Sequence, residues 1–145
     1  MYSIKQIPSQ ATFAVRLPVL RPGKPIESCI FEGDDLPSTV HFGIYSGENI
    51  AGIVSVFEEK TPLLTQQKQF QLRGMAVLDS YQKKGLGEQL VKAAEEYIIN
   101  KKGEAIWFNA REIAVGFYNK MGYEIIGEPF TISDIGIHYV MYRPL

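Results

Sequence analysis

The chain has 145 residues, 46% of them apolar and 21% charged, and its formal net charge is −1. A chain of this length suits one domain and buries roughly 68–70% of its unfolded surface, so we expect a single domain over residues 1–145. The near-neutral charge argues against a nucleic-acid partner, and no apolar run approaches the roughly 20 residues of a membrane span. The N-terminus lacks the apolar stretch of a signal peptide. Cys29 is the single cysteine, which excludes an internal disulfide and a cysteine-rich metal site. We therefore expect a cytoplasmic protein with no membrane partner and no metal.

The first half of the chain predicts strands separated by polar connections. Tyr2–Ile7 favours a strand, and Gln10–Leu20 favours either a helix or a strand. Alternating apolar residues over Val40–Tyr45, a turn of Ser-Gly-Glu-Asn and the β-branched run Ile50–Phe57 together predict a hairpin. Phe70–Leu78 predicts a third strand after a glutamine-rich connection.

A helix follows that third strand. Apolar residues between Leu86 and Ile98 fall on one helical face, and Lys101-Lys102-Gly103 supplies the cations and the glycine cap that end a helix. The short apolar run Glu104–Phe108 then predicts a buried strand. A strand, a helix and a strand in this order predict a parallel crossover pair within a mixed sheet.

A second helix and two strands complete the predicted order. Asn109 and Glu112 have the spacing of a capping box, which predicts a helix that starts there and ends at Gly122. Tyr123–Ile126 and Ile137–Tyr142 predict the last two strands.

The junction of the third strand and the first long helix carries two glycines and two lysines. Lys83, Lys84, Gly85 and Gly87 lie where a helix N-terminus exposes unpaired N–H groups and a positive dipole end. Glycines there let an anion approach the backbone, so the junction predicts a phosphate-binding turn. A glycine-containing turn with solvated lysines is the alternative. The segment matches neither the P-loop nor the dinucleotide fingerprint.

Two segments resemble a known family. The sequence from Val77 to Gly87 resembles the signature Gln/Arg-x-x-Gly-x-Gly/Ala with which the GNAT superfamily of N-acetyltransferases binds acetyl-CoA. Asn109–Tyr123 is similar to the second cofactor motif of that superfamily, in which a short helix carries a tyrosine. The resemblance extends over Val40–Arg143, and the segments Asp34–His41 and Gly136–Pro144 are most similar to its ElaA-like branch.

The resemblance implies how acetyl-CoA would be held. Backbone N–H groups would bind the pyrophosphate at Gln82, Lys83, Lys84, Gly85, Leu86 and Gly87. The strand edge formed by Met75, Ala76 and Val77 would pair with the pantetheine arm, and an N–H group there would polarise the thioester carbonyl. Asn109 would contact the cofactor in addition to capping its helix. Arg111 stands where many relatives carry an asparagine. The contact made by that asparagine is therefore not assigned to Arg111.

The resemblance also implies direct attack of an amine on the acetyl carbonyl, with thiolate as the leaving group. Tyr118 occupies the place of the family tyrosine and would donate a proton or a hydrogen bond to the departing sulfur. The alternative for Tyr118 is a purely packing role. Several relatives place a glutamate base where this chain has Gln71, which cannot accept a proton. Three alternatives remain: another side chain acts as the base, a water chain does so, or the amine arrives neutral. The candidate side chains are His41, Asp34, Asp35 and Glu58.

The acceptor site is expected beside two connections, Arg21–Ser38 and Gly127–Ile135. Acidic residues in both would attract an amine. Arg73 would alternate with Gln71 on one face of its strand, where it would bind an anionic acceptor or pair with a carboxylate. The residues expected to contact the acceptor are Asp35, His41 and Arg73.

The sequence therefore predicts an N-acetyltransferase that transfers the acetyl group of acetyl-CoA to a primary amine of a small molecule or a peptide. Its expected fold is α/β: a GNAT-like single domain with a mixed, mostly antiparallel central sheet and helices on both faces. Two alternatives remain open: a non-catalytic sensor that binds coenzyme A thioesters, and a phosphate-binding protein that uses only the glycine turn. A homodimer is also left open.

Overall fold

The computed structural model describes all residues, 1–145. Seven strands form one sheet in the order β1-β2-β3-β4-β5-β7-β6. The strands are β1 Tyr2–Ile7, β2 Val40–Ser46, β3 Asn49–Glu58, β4 Gln69–Val77, β5 Ala105–Arg111, β6 Glu124–Ile132 and β7 Gly136–Pro144. β4 and β5 run parallel, whereas β1 with β2, β2 with β3, β5 with β7 and β6 with β7 run antiparallel. The predicted mixed, mostly antiparallel α/β sheet, with its hairpin and its parallel crossover pair, is confirmed.

The helical elements are short apart from one. The α-helices are α1 Phe13–Val15, α2 Leu86–Asn100 and α3 Val115–Lys120. A 3₁₀ turn at Ser9–Thr12 precedes α1 and a π-helical turn at Arg16–Leu20 follows it, so the segment for which the sequence allowed either a helix or a strand is helical. The remaining 3₁₀ turns are Ile26–Cys29, Asp79–Tyr81 and Glu112–Ala114. None of the helices has the length and apolar character needed to cross a membrane.

The chain divides into two compact units. The first consists of residues 1–57 and 72–97, and the second of residues 58–71 and 98–145. In the first unit, Val15, Ile53 and Ala76 form a buried cluster. In the second, Trp107, Leu64 and Val140 are buried together, and the Trp107 indole N–H donates to the carbonyl oxygen of Glu59 at 2.9 Å. The single domain expected from the length of the chain stays a prediction.

The end of α2 differs from its predicted cap. Lys102, with φ +62°, is the left-handed residue there, and the N–H groups of Lys102 and Gly103 donate to the carbonyl oxygens of Ile99 and Ile98, each at 2.9 Å. A glycine at position 103 is required for space, because a Cβ atom would lie 2.9 Å from the ring of Phe70. Gly103 is therefore needed because there is no room for a side chain, and Lys102 takes the left-handed conformation that was predicted for the glycine.

The predicted capping box at Asn109 is wrong. β5 continues to Arg111, Asn109 pairs with Val140 of β7, and Ala110 is buried in the strand. Pairing with β7 thus extends the strand over the residues assigned to a helix cap, and no side chain caps the turn at Glu112–Ala114. The helix itself ends at Lys120, two residues before the predicted end, and Gly122, with φ +94°, lies in the turn that follows it.

The last connection is also shorter than expected. β6 extends to Ile132, so most of the predicted loop Gly127–Ile135 belongs to this strand. The register of β6 against β7 shifts between Ile126 and Phe130, and Gly127 has φ +79° within the shift. An irregularity of this kind lets a strand continue through glycine and proline, residues that otherwise indicate a loop.

Candidate active site

The turn between β4 and α2 exposes backbone donors. The N–H group of Gln89 donates to the carbonyl oxygen of Gly85 at 3.2 Å, which makes Gly85 the residue that precedes the first turn of α2. The N–H groups of Leu86, Gly87 and Glu88 therefore have no acceptor within the helix. Gly85 has φ +78°, and no atom lies within 4 Å of the place where its Cβ would be. An anion can therefore approach the turn at Gly85 without meeting a side chain there.

Two residues shape this turn, Lys83 through its backbone and Gln82 through its side chain. Lys83 has φ +64°, an uncommon conformation for a residue with a side chain. The Gln82 amide donates to the carbonyl oxygen of Val77 at 3.0 Å and to Oδ1 of Asp79 at 3.2 Å. The glutamine of the signature thus holds the turn in place through its side chain, while its neighbours present their backbone.

The strand edge upstream of the turn lacks a partner on one side. β4 pairs with β5 only through Gln69, Phe70 and Gln71. Residues 72–77 of β4 continue without that pairing, so the predicted pantetheine-binding edge at Met75–Val77 keeps backbone groups available for a ligand. Ala76 points into the core, and Gly52 of β3 lies against its carbonyl oxygen, where a Cβ would approach to 3.0 Å.

Tyr118 lies on α3 within a group of aromatic rings. Its ring centroid is 4.3 Å from that of Phe108, 5.0 Å from that of Phe117 and 6.2 Å from that of Tyr123. Burial raises the pKa of the Tyr118 hydroxyl to about 12. The hydroxyl therefore keeps its proton throughout the physiological range and is able to donate a hydrogen bond. Asn109 and Arg111 are exposed on β5.

His41, a candidate base, is buried in a polar network. Its Nδ1 is 2.6 Å from Oγ of Ser55, and its Nε2 is 2.9 Å from the carbonyl oxygen of Asp34. A carbonyl oxygen only accepts, so Nε2 carries the proton. Arg16 donates to the same serine oxygen at 3.0 Å, and the serine hydroxyl can then donate to Nδ1. Both ring nitrogens have hydrogen-bond partners within the protein, so His41 has a structural role. Its contact with the acceptor stays a prediction.

Asp34 is the second member of that network. It receives two hydrogen bonds from Arg16, at 2.7 and 3.0 Å, and one from the N–H group of Phe31 at 2.9 Å. Burial alone would raise the pKa of Asp34, but the hydrogen bonds from Arg16 and Phe31 outweigh it and hold this pKa below its ordinary value. A carboxylate so paired is a poor base. Of the other candidates, Asp35 is exposed and accepts from Ser9 at 2.6 Å, and Glu58 is exposed.

Arg73 lies on β4 beside two aromatic rings, and sequence reasoning missed the arginines around it. Its Cζ is 5.2 Å from the centroid of Phe31 and 5.0 Å from that of Phe57. Arg16 and Arg21 pack against the same Phe31 ring. The signal for Arg16 was a single cation within the apolar run Phe13–Leu20, a pattern that indicates a buried, paired charge. No group of three or more histidine, cysteine or acidic side chains could hold a metal ion.

Comparison with known proteins defines the class. The profile of the acetyltransferase (GNAT) domain matches residues 33–143. The chain is 37% identical over all of its 145 residues to the uncharacterized N-acetyltransferase YitI of Bacillus subtilis strain 168, 97% of which is covered. The chain belongs to the GNAT family of acetyltransferases.

Solved structures share the fold at low identity. Escherichia coli ElaA superposes with a TM-score of 0.75 and 14% identity, and the match covers 99% of each chain. An aminoglycoside 6'-N-acetyltransferase solved in complex with coenzyme A has a TM-score of 0.75 and 14% identity, and the match covers 98% of this chain and 96% of that one. At these identities the likeness concerns the fold.

Proposed function

We propose that this protein transfers the acetyl group of acetyl-CoA to a primary amine, and that the turn Gln82–Gly87 holds the cofactor. The observation that carries the proposal is the set of amides at Leu86, Gly87 and Glu88, which lie without helical acceptors beside the left-handed Gly85. A pyrophosphate accepts hydrogen bonds from such amides and is favoured by the positive end of α2. Lys83 and Lys84 are exposed and add positive charge to the turn.

The unpaired edge of β4 supports the next part of the proposal. Met75, Ala76 and Val77 directly precede the turn, so an extended pantetheine arm can pair with them as a neighbouring strand would. An N–H group of this edge would donate to the thioester carbonyl oxygen, whose negative charge grows as the amine attacks. The C–N bond forms, the C–S bond breaks, and the amine releases one proton.

Tyr118 is proposed as the donor to the departing sulfur. A thiol has an ordinary pKa near 8.5, whereas burial raises the pKa of Tyr118 to about 12. Full transfer of the tyrosine proton to the thiolate would therefore be uphill, and the hydroxyl stabilises the sulfur by a hydrogen bond while keeping its proton. The proton that ends on the thiol then comes from the amine, which loses one as the amide forms. This proposal requires no buried carboxylate or histidine base.

The test is a screen of primary amines with acetyl-CoA in which thiol release is followed. Turnover with at least one amine, saturating in both substrates, is the expected result. Calorimetric titration with acetyl-CoA runs beside it. Tight binding without turnover on any amine would favour the non-catalytic sensor, whereas absence of binding would remove the proposal altogether.

A further inference from the structure

The two histidines of the chain differ in how their ring nitrogens are bonded. Both nitrogens of His41 have partners within the protein. His138 on β7 uses only Nδ1, which lies 2.9 Å from the carbonyl oxygen of Gly136. A carbonyl oxygen only accepts, so Nδ1 carries the proton of the neutral ring and Nε2 carries a lone pair. His138 is thus the histidine that has an acceptor nitrogen to offer to a ligand.

The free nitrogen of His138 reaches the surface although the ring is packed. The residue is 5% exposed, and its ring centroid is 5.7 Å from that of Phe130. No group of the chain is hydrogen-bonded to Nε2, yet the only fully enclosed side-chain atom that lacks a partner is Nε of Arg16. Nε2 of His138 is therefore accessible to solvent, and it can accept a proton without breaking a bond inside the protein.

The strand register shows which side chains share a face of the sheet with His138. Arg111 of β5 and Phe130 of β6 lie directly opposite it, and side chains opposite one another lie on the same face. Trp107 and Asn109 precede Arg111 by four and two residues, so they point to this face as well. Asn109 and Arg111 are exposed, which leaves the face open to a ligand beside His138.

The same face carries Gln71. It pairs with Trp107 in the ladder between β4 and β5, and paired residues of parallel strands point to the same side. Position 71 is where the resemblance places a glutamate base and where this chain has a glutamine. Phe130, which packs on His138, belongs to the segment Gly127–Ile135, beside which the acceptor is expected. His138 therefore lies on the face where a base is missing.

We propose that Nε2 of His138 is the base that takes the ammonium proton of the bound acceptor. An ammonium nitrogen has no lone pair, and an alkylammonium with the ordinary lysine pKa of about 10.4 arrives protonated at neutral pH. An N–H bond of the ammonium breaks, its proton goes to Nε2, and the imidazolium then releases that proton to water. The neutral amine left in the site attacks the thioester carbonyl. The inference rests on the proposed acetyl transfer, which needs no base once the amine is neutral.

The charged groups around His138 leave its ring free to change protonation state. β5, β6 and the turn Glu112–Ala114 pack against β7. The charged side chains of these elements and of the turn between β6 and β7 are all exposed: Arg111, Glu112, Glu124, Glu128 and Asp134. His138 takes part in no ion pair. An unpaired histidine gains and loses a proton between about pH 5 and 8, as a base must in each turnover.

The experiment compares two amines of different basicity in the thiol-release assay. One is the alkylamine that the screen of primary amines selects, and the other is its analogue fluorinated at the β-carbon, whose nitrogen is largely neutral at the assay pH. In His138→Gln, kcat/KM for the alkylamine is expected to fall by about 100-fold or more, as for the loss of a general base, with little change for the fluorinated analogue. A structural role would lower both values alike, so equal losses would overturn the inference.

Two further variants separate the chemistry from the fold. Ile137→Gln lies at the neighbouring exposed position, whose side chain points to the opposite face. It is the matched control and should keep the wild-type ratio of the two kcat/KM values. His138→Ala leaves room for an imidazole molecule, so added imidazole should restore part of the activity with the alkylamine. Restoration to the same extent with both amines would indicate repacking and contradict the inference.

A measurement on the wild type separates this inference from the proposed function. The ring nitrogen resonances of His138 are followed by NMR during titration with the amines of the screen in the presence of coenzyme A, which permits no turnover. A saturable shift of Nε2 is expected. Such a shift in a protein that releases no thiol with any amine would leave the amine site standing and reject the acetyltransferase. Turnover without a shift would keep the acetyltransferase and overturn the role of His138.

Discussion

The polar network around Asp34 and the turn Gln82–Gly87 differ in whether their hydrogen-bonding groups find partners within the protein. In the network, the Asp34 carboxylate, the His41 ring and the Ser55 hydroxyl all find partners inside the protein. In the turn, the first amides of α2 have no helical acceptor, and no atom lies within 4 Å of the place of a Cβ at Gly85. The network contains the side chains associated with acid–base chemistry, yet the turn has the free donors. Residue type alone therefore does not locate a site, and the amides left without acceptors at the start of α2 are the feature that supports the proposed one.

The largest expected effect is a loss of stability when the ion pair in the polar network around Asp34 is broken. Arg16→Met should lower the free energy of unfolding by about 3–5 kcal/mol, because it leaves the buried Asp34 carboxylate without its partner. Urea unfolding followed by circular dichroism measures this. The double variant Arg16→Met/Asp34→Leu should recover much of the loss, and a single-variant loss under 1 kcal/mol would show that the pair is not the centre of the network.

Blocking the turn should affect binding and leave stability alone. Gly87→Phe places a side chain beside the free amides, and we expect the Kd for acetyl-CoA to rise by about 100-fold or more, since several charge-assisted hydrogen bonds are lost. Calorimetry measures the Kd and thermal melting checks the fold. Glu96→Phe, at an exposed position further along α2, is the matched control; equal affinity in the two variants would refute the assignment of the turn.

Tyr118 is partly like the network and partly like the turn, because its ring packs inside the protein while its hydroxyl is proposed to bind a ligand. Tyr118→Phe should lower kcat by about 10–100-fold, the loss expected when one hydrogen bond to a negatively charged sulfur is removed, with little change in the Kd for acetyl-CoA. Steady-state kinetics over a pH series tests this. A phenylalanine variant that turned over at the wild-type rate at every pH would make Tyr118 a packing residue.

The same substitution should alter alkaline stability. The folded pKa of Tyr118 is raised to about 12 from an ordinary value of 10.0, so between these values the folded chain keeps a proton that the unfolded chain has lost. Stability is thus lost as the pH rises through this window. The wild type should lose up to about 3 kcal/mol more than Tyr118→Phe there, as measured by urea unfolding, and identical alkaline curves would contradict the assigned pKa.

The smallest expected effect separates strain from binding within the turn. Lys83 and Lys102 have nearly the same left-handed backbone, with φ of +64° and +62°. Glycine at either position should raise the free energy of unfolding by about 0.5–1 kcal/mol. Only Lys83→Gly should also weaken acetyl-CoA binding, by a few-fold, since it removes a cation from the turn. Equal affinities in the two variants would mean that Lys83 serves the turn's conformation alone.

Much of the fold follows from local sequence pattern. The hairpin of β2 and β3, the apolar face of α2 and the parallel pairing of β4 with β5 are each predicted by periodicity and by turn composition. The errors lie where tertiary pairing overrides a local signal. Asn109 has the spacing of a helix cap, but pairing with Val140 keeps it in a strand, and Gly127 indicates a loop but occupies an irregular position within β6.

Of the candidate site, one part could likewise be predicted from the sequence and another could not. The position of the glycine turn is readable because its residues are contiguous. The group formed by Arg16, Arg21 and Arg73 is not, because Arg73 is remote in sequence from the other two and all three meet at the Phe31 ring. Judging whether His41 can act as a base likewise requires knowing that Ser55 and the Asp34 carbonyl occupy its ring nitrogens, which no spacing reveals.

The Arg16 side chain bonds to the carbonyl oxygen of Cys29 at 2.7 Å as well as to Asp34, and so it fastens both ends of the connection that runs from Arg21 to Ser28. Gly23 in this connection has no atom within 4 Å of the place where its Cβ would be. Between fixed ends, doubling the length of a flexible loop costs only about 0.6 kcal/mol. Insertions near Gly23 can therefore accumulate at little expense to folding, and this stretch is where the chain can lengthen in evolution without disturbing the buried pair of Arg16 and Asp34.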